Sequence, residues 1–237
     1  MFILLAASLI PPFYLMWRVY QIDKIEKEPA GLLFNIFLLG MLSTLPAGII
    51  ESILSSVLTL SLPADFTASP GGQRIFNLIM YFIIVAGAEE GVKYLAMKIP
   101  SWKHPEFDYV FDGVIYGVFA AAGFAALENV LYVMESGLLT AGVRAWTAIP
   151  LHIIAGVFMG HYYGIAKSAQ IHGEYHIMRK MKRRSILIPM LIHGFYDFCA
   201  TDAEPMLALI FLIYIVVLDV LALRALHRFA QNDMRLY

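Results

Sequence analysis

Residues 75–97 read IFNLIMYFIIVAGAEEGVKYLAM, a run long and apolar enough to cross a bilayer, yet it holds two adjacent carboxylates, Glu89 and Glu90, and an ammonium, Lys93, one helical turn later. About 20 predominantly apolar residues span a hydrocarbon core of roughly 30 Å as a helix. An ionised group near the centre of that core costs roughly 2.5 to 3.5 kcal/mol even on lenient insertion scales, so such groups face a protein interior or a watered cavity and serve chemistry or transport. The stretch therefore reads as a membrane span and as part of a site.

Outward from it, similar runs recur along most of the chain. Seven spans are predicted: Phe2 to Tyr20, Leu32 to Leu54, Ile75 to Ile99, Tyr109 to Met134, Trp146 to Ala166, Ile186 to Thr201 and Met206 to Leu226. Pro46 is expected to kink the second, and Pro189 falls in the first turn of the sixth, where proline is tolerated. The composition agrees: 60% of the 237 residues are hydrophobic and only 15% charged, with a mean hydropathy of +0.71, whereas soluble domains are about 25% charged. The fold class is all-α, a polytopic membrane helix bundle forming one membrane-embedded domain over 1–237, with the motifs confined to 75–203. Met1 to Tyr20 lacks a basic n-region and a cleavage site before a soluble domain, so it reads as the first span and not as a signal peptide.

Loop charges set the orientation. Lys24 and Lys27 follow span one, Lys98 and Lys103 span three, the cluster Arg179, Lys180, Lys182, Arg183 and Arg184 span five, and Arg224, Arg228 and Arg235 span seven, while the other loops carry only Arg74 and Arg144. The positive-inside rule then puts the N-terminus outside and the C-terminus in the cytoplasm, which needs an odd span count. The segment Leu60 to Gly72, rich in proline and glycine, becomes an external turn or short lid. A net charge of -1, with basic residues gathered in short loops, argues against a nucleic-acid partner and leaves the lipid bilayer as the surroundings. The single cysteine, Cys199, cannot form an intrachain disulfide and reads as a small buried hydrophobe.

The remaining intramembrane polar residues have helical company. Lys93 lies four residues after Glu89 and three after Glu90, both spacings that bring side chains together, so one carboxylate pairs with it and the other stays free to handle a proton. Gly113, Gly117, Ala121 and Ala125 form a small-residue ladder of the close-packing kind, and Glu128, about three turns beyond Gly117, shares its face with Asn129 beside it. Asp112 opens that span near the interface as a cap or loop partner. His152, Gly156, Gly160 and Gly164 form a second ladder, and His193 and Asp197 stand four apart on one face, where the carboxylate can accept the Nδ1 proton and leave the other ring nitrogen as base or ligand. His161 is an unassigned polar contact, and His104, His172, His176 and His227 belong to cytoplasmic segments. Counted from the outer ends, Glu128 and His152 lie roughly 10 Å deep, His193 roughly 13 Å and Glu89 roughly 20 Å, the outer half but not one plane.

Carboxylates and two histidines without an activated serine or cysteine point to water as nucleophile. Two mechanisms stay open. A glutamate deprotonates water while a histidine binds or protonates the reacting groups, without metal; or His152, His193 and Glu128 bind zinc and Glu89 or Glu90 is the base.

Glu89-Glu90-Gly91-Val92-Lys93, Phe111-Asp112-Gly113 leading to Gly123-Phe124 and Glu128-Asn129, His152 with Gly156, and His193-Gly194-Phe195-Tyr196-Asp197 arrive in one order over spans three to six. Through these blocks the sequence resembles the PrsW family of bacterial intramembrane proteases, and is distantly similar to membrane proteases of the CAAX-processing and bacteriocin-immunity type. Where those distant relatives carry a histidine, this chain has Glu128, and Asp197 replaces their asparagine, a departure that leaves room for a metal ion. The resemblance implies a multi-pass protein of the bacterial inner membrane that makes the first, external cut in a single-span anti-sigma factor under envelope stress. It implies Glu89, Glu90, His152 and His193 as catalytic, Glu128 as ligand or second base, and Lys93, Asn129 and Asp197 as supports. The alternative from another class is a proton- or ion-coupled transporter with a buried Glu/Lys/His relay, for which no inverted repeat speaks.

Overall fold

The computed structural model describes residues 1–201 and 204–237; Asp202 and Ala203, which close the 75–203 stretch, lie outside the described residues. The described residues are almost wholly helical. Helix α1 is Phe2–Tyr20, α2 Ala30–Leu42, α3 Thr44–Ser61, α4 Ala64–Ala68 and α5 Pro70–Leu78; α5 passes through a π-helical segment, Ile79–Val85, into α6, Ala86–Ser101. Then follow α7 Asp112–Ser136, α8 Leu138–Trp146, α9 Ala148–Ile171, α10 Tyr175–Thr201 and α11 Pro205–Gln231.

Six stretches among the described residues are long and apolar enough to cross a membrane: α1, α2 with α3, α5 through α6, α7, α8 with α9, and α11. The sixth predicted span is the second half of α10, which is not among them because the first half of that helix is basic and the second carries His193 and Asp197. Its start is corrected as well: α10 begins at Tyr175, so Pro189 is interior to it and not in its first turn. The kink assigned to Pro46 is a break between Leu42 and Thr44. A proline leaves the carbonyl four residues earlier without a partner and clashes with it, and that residue is Leu42. Ser43 and Thr44 bond back to the carbonyls of Gly40 and Met41 there, at 2.7 and 2.8 Å. The predicted external turn holds the short α4, and Ser69 caps α5 by accepting from the Gly72 amide at 3.1 Å.

α7 is the central helix, packed on α9 on one side and on α2 on another, with α10 beyond α9. Both contacts are made where glycine removes the side chain. A Cβ on Gly117 would stand 2.3 Å from the Gly156 carbonyl oxygen, and one on Gly160 2.0 Å from that of Gly113, so the two ladders face each other backbone to backbone. On the α2 side, Gly123 meets the Phe37 carbonyl and Gly40 that of Ala120 in the same way.

At the basic end the C-terminal tail pairs with the loop before α7. Val110 donates to the Met234 carbonyl at 3.0 Å, Leu236 to that of Asp108 at 2.6 Å, and Phe111 to the Asp233 carboxylate at 2.8 Å. The chain's end and the loop after α6 are thus on one side, as the charge pattern requires. Asp112 accepts from the amides of Asp108 and Tyr109 at 3.0 and 2.7 Å, and Tyr116 donates its hydroxyl to Glu28. Burial pushes the Glu28 carboxyl up to about 7.

Candidate active site

The site is built on α6. Glu89, Glu90 and Lys93 project from its first two turns, just past the π-helical segment, and all three are buried. π-helical segments are rare and concentrate at functional sites. This one lies against α10, where Gly194 makes room for Phe82: a Cβ there would be 2.7 Å from the ring. The contact seats the neighbouring His193 over the start of α6.

Lys93 Nζ donates to Glu89 Oε2 at 3.0 Å and to Glu90 Oε1 at 2.8 Å, and lies 2.9 Å from His152 Nδ1. Both carboxylates therefore share the ammonium; the expectation of one paired and one free glutamate is replaced by a triad. His193 Nδ1 is 2.8 Å from Glu90 Oε1 and 3.7 Å from Glu89 Oε2. Its Nε2 is 3.3 Å from Asp197 Oδ2, so the aspartate faces the ring nitrogen opposite to the one expected, and Nδ1 is the nitrogen turned to the glutamates. The rings of His152 and His193 stand 5.1 Å apart at 88°, and Phe124 lies 4.1 Å beneath the Lys93 ammonium. Such a cation over an aromatic face is attracted by the ring quadrupole.

Glu89, Glu90, His152 and His193 each offer a ligand atom, all four within 4.8 Å of one another. The depths counted from sequence, which separated Glu89 from the histidines, are thereby corrected. A continuous helix from Pro70 through a π-helical segment, which rises less per residue than an α-helix, makes such counting from Ile75 unsafe. Glu128 is not in the group. Its Oε2 lies 2.8 Å from His152 Nε2 and accepts from Arg144 Nη2 at 2.6 Å, placing it behind the imidazole. Asn129 accepts from Arg144 Nε at 2.9 Å and donates to the Ser8 carbonyl at 2.8 Å, tying α1, α7 and α8 together. Asp112 is sixteen residues before Glu128 on α7, about 24 Å along the axis, and belongs to the opposite end.

The donor set suits a metal ion: two imidazoles and two carboxylates match the nitrogen and oxygen ligands of zinc. Glu90 Oε2 is buried without a hydrogen-bond partner, and the Lys93 ammonium is already held by three of the four residues, so the pocket is made for positive charge. Exposure separates the adjacent glutamates: Glu90 is 0% exposed and Glu89 5%.

Two residues escape the sequence reading. Arg144, taken there as a loop charge, caps Glu128 and lies 4.2 Å over the Tyr132 ring. Glu51, half-buried on α3, is within electrostatic reach of Glu128, His193, Lys93 and Asp197. A carboxylate in the apolar run of α2 and α3 carries the same signal that singles out Glu89; Arg144 carries none, being a cation next to an interface.

A family model described as PrsW family intramembrane metalloprotease matches residues 28–223. Protease PrsW of Oceanobacillus iheyensis is 32% identical over 231 residues, covering 98% of each chain. Protease PrsW of Geobacillus kaustophilus is 32% identical over 204 residues, 86% of this chain and 82% of the other, and that of Bacillus subtilis 30% over 201 residues, 85% and 84%. No solved structure matches.

Proposed function

The chain belongs to the PrsW family of intramembrane metalloproteases, a multi-pass bacterial membrane peptidase, and on that premise we propose that Glu89 is its proton-handling base and Glu90, His152 and His193 its metal-holding residues. The observation that carries this reading is the convergence of the four buried donors within 4.8 Å inside a membrane bundle. A group that takes a proton from water must touch water, and Glu89 is the member of the pair with any exposure. Glu90, fully buried and within reach of Lys93 and His193, is an anchor.

A divalent ion, zinc by its ligand preferences, would polarise the scissile carbonyl and lower the pKa of water. The rest falls to the chain. Glu89 accepts a proton as the water oxygen bonds to the carbonyl carbon; the carbon–nitrogen bond then breaks, and the same proton goes to the departing nitrogen, leaving an acid and an amine. Lys93 keeps two adjacent carboxylates together in a low dielectric, where unpaired they would repel. Arg144 and Glu128 hold the far nitrogen of His152, fixing which ring nitrogen is turned inward.

The substrate proposed is a single-span membrane protein, an anti-sigma factor cut on its external side at the start of an envelope-stress response. The motif resemblance and the positive-inside orientation support this, and between peptidase and transporter the family membership favours the peptidase. The test uses detergent-solubilised protein, a panel of single-span anti-sigma substrates, a strong zinc chelator and metal re-addition. Reversible loss of cleavage with chelator is expected; cleavage indifferent to prolonged chelation, with metal shown to be gone, overturns the metal part.

A further inference from the structure

At the basic end, away from the catalytic cluster, lysines from two helices gather around one indole and a third lysine stands close enough to act on them electrostatically. Lys182 of α10 holds its Nζ 3.6 Å from the centre of the Trp102 ring, and Lys167 of α9 lies 5.5 Å from the same centre while donating to the Trp102 carbonyl at 2.9 Å. Lys98, in the last turn of α6, extends along Tyr94, 5.6 Å from its ring, and with Lys167 is an electrostatic neighbour of Lys182. None of the three has a salt bridge to a carboxylate among the described residues; of the acidic residues in the flanking loops, Glu106 and Glu174 are exposed and pair with none of them, and Asp108 faces Arg235 at 3.9 Å. Lys167 is 93% buried by its 7% exposure, with one acceptor for three donors.

Three ammoniums drawn together at the edge of a low-dielectric slab repel one another, and burial followed by the charges of Lys98 and Lys167 lowers the Lys182 pKa. Topology alone asks only that basic residues lie on this side; it does not ask α9 and α10 to aim theirs at a common indole, with Lys98 of α6 beside them. Indole and phenol rings belong at the headgroup level of a bilayer, and basic pockets between helices on the cytoplasmic side bind anionic headgroups. We propose that Lys98, Lys167 and Lys182, with Trp102 as platform, form a binding site for a phosphate anion, supplied by the phosphodiester of an anionic phospholipid of the inner leaflet. The site joins the basic ends of α6 and α10, the two helices that carry Glu89, Glu90 and His193, so an occupied site ties together the elements that bring those residues into contact.

The experiment takes delipidated full-length protein in neutral detergent and titrates dioleoylphosphatidylglycerol, dioleoylphosphatidylcholine or inorganic phosphate, reading bound lipid by native mass spectrometry and the apparent melting temperature. Lys98→Gln with Lys182→Gln leaves Lys167 in place; Lys103→Gln with Lys180→Gln removes the same charge from the same side outside the cluster. A lysine near a membrane surface contributes about fivefold to anionic-lipid binding, so the first pair should weaken phosphatidylglycerol binding on the order of 30-fold. The second pair should change it far less, Lys98→Arg with Lys182→Arg should keep it near wild type, and phosphatidylcholine should not raise the melting temperature. Equal loss in both pairs means diffuse surface attraction and overturns the site. Retained binding in the first pair does the same, as does absence of binding in the wild type. Protection by inorganic phosphate equal to that by the lipid overturns the lipid assignment.

Discussion

If Glu89 handles the proton and Glu90 holds the metal, the two isosteric changes Glu89→Gln and Glu90→Gln must separate metal binding from cleavage. Glu89 Oε2 touches Lys93 at 3.0 Å, and Glu89 is the partly exposed member of the pair. Its amide keeps the shape, leaves Lys93 paired with Glu90 at 2.8 Å and removes only the base. General base catalysis contributes about 10²- to 10⁴-fold, so Glu89→Gln should bind metal like the wild type and cleave 10² to 10⁴ times more slowly. Glu90→Gln does more. It withdraws the charge that faces both Lys93 and His193 at 2.8 Å in a site with 0% exposure, and breaking a buried ion pair on one side costs about 3 to 5 kcal/mol. Cleavage should vanish, bound metal should fall, and the apparent melting temperature in detergent should drop by several degrees. Metal stoichiometry by mass spectrometry, cleavage of a single-span substrate and thermal unfolding are measured on the same preparations. Loss of metal in Glu89→Gln as complete as in Glu90→Gln, or full metal and full stability in Glu90→Gln, refutes the division of roles.

Glu51→Gln should lower cleavage severalfold without altering bound metal or melting, because α3 brings this carboxylate within electrostatic reach of the cluster; unchanged kinetics for every substrate would remove it from the site. Arg144→Gln leaves Glu128 with His152 alone, and the loss of such an outer partner should reduce activity or metal affinity about 10- to 100-fold, read by cleavage and metal titration. Gly117→Val places side-chain atoms where the Gly156 carbonyl oxygen would be 2.3 Å from Cβ, so folded yield should collapse, whereas Gly48→Ala, with nothing within 4 Å, should be near neutral by size-exclusion chromatography. Burial keeps the Glu28 carboxyl protonated to about pH 7, against an ordinary 4.5. Between those values the folded chain holds a proton the unfolded chain has lost, so stability is highest below pH 4.5 and declines toward pH 7; melting temperature against pH should show that decline in the wild type and flatten in Glu28→Gln.

Much of this was legible in the residues because membrane burial makes polar groups conspicuous. Glu89, Glu90, Lys93, His152 and His193 stand out against apolar runs, and the two glycine ladders name the faces on which α7 and α9 meet. Which atoms meet was not legible. The π-helical segment before α6 has no sequence signature at the level of hydrophobic spacing, yet it alters the register between Pro70 and Glu89, and every depth counted along that span shifts with it. The nitrogen of His193 that faces Asp197 depends on a rotamer that i,i+4 spacing leaves open. Glu128 shows the same limit: the ladder correctly turns it toward protein, but whether it reaches the cluster or stops at His152 depends on Arg144, which arrives from a different helix.

α10 makes the underlying conflict clear. A helix that must deliver an imidazole and a carboxylate into the bundle cannot also be uniformly apolar, and its N-terminal half is basic, so by composition it falls short of a span although it carries one of the four converging donors. Its polar side is tolerated because it is spent on contacts: His193 on Glu90, Ser185 donating to the Met159 carbonyl at 2.7 Å, and Gly194 against Phe82. Intramembrane polar groups unmet by lipid are met by protein. The helix least recognisable as a span is so because it delivers polar groups to the site, and reading it by average hydropathy alone would lose His193, one of the four converging donors.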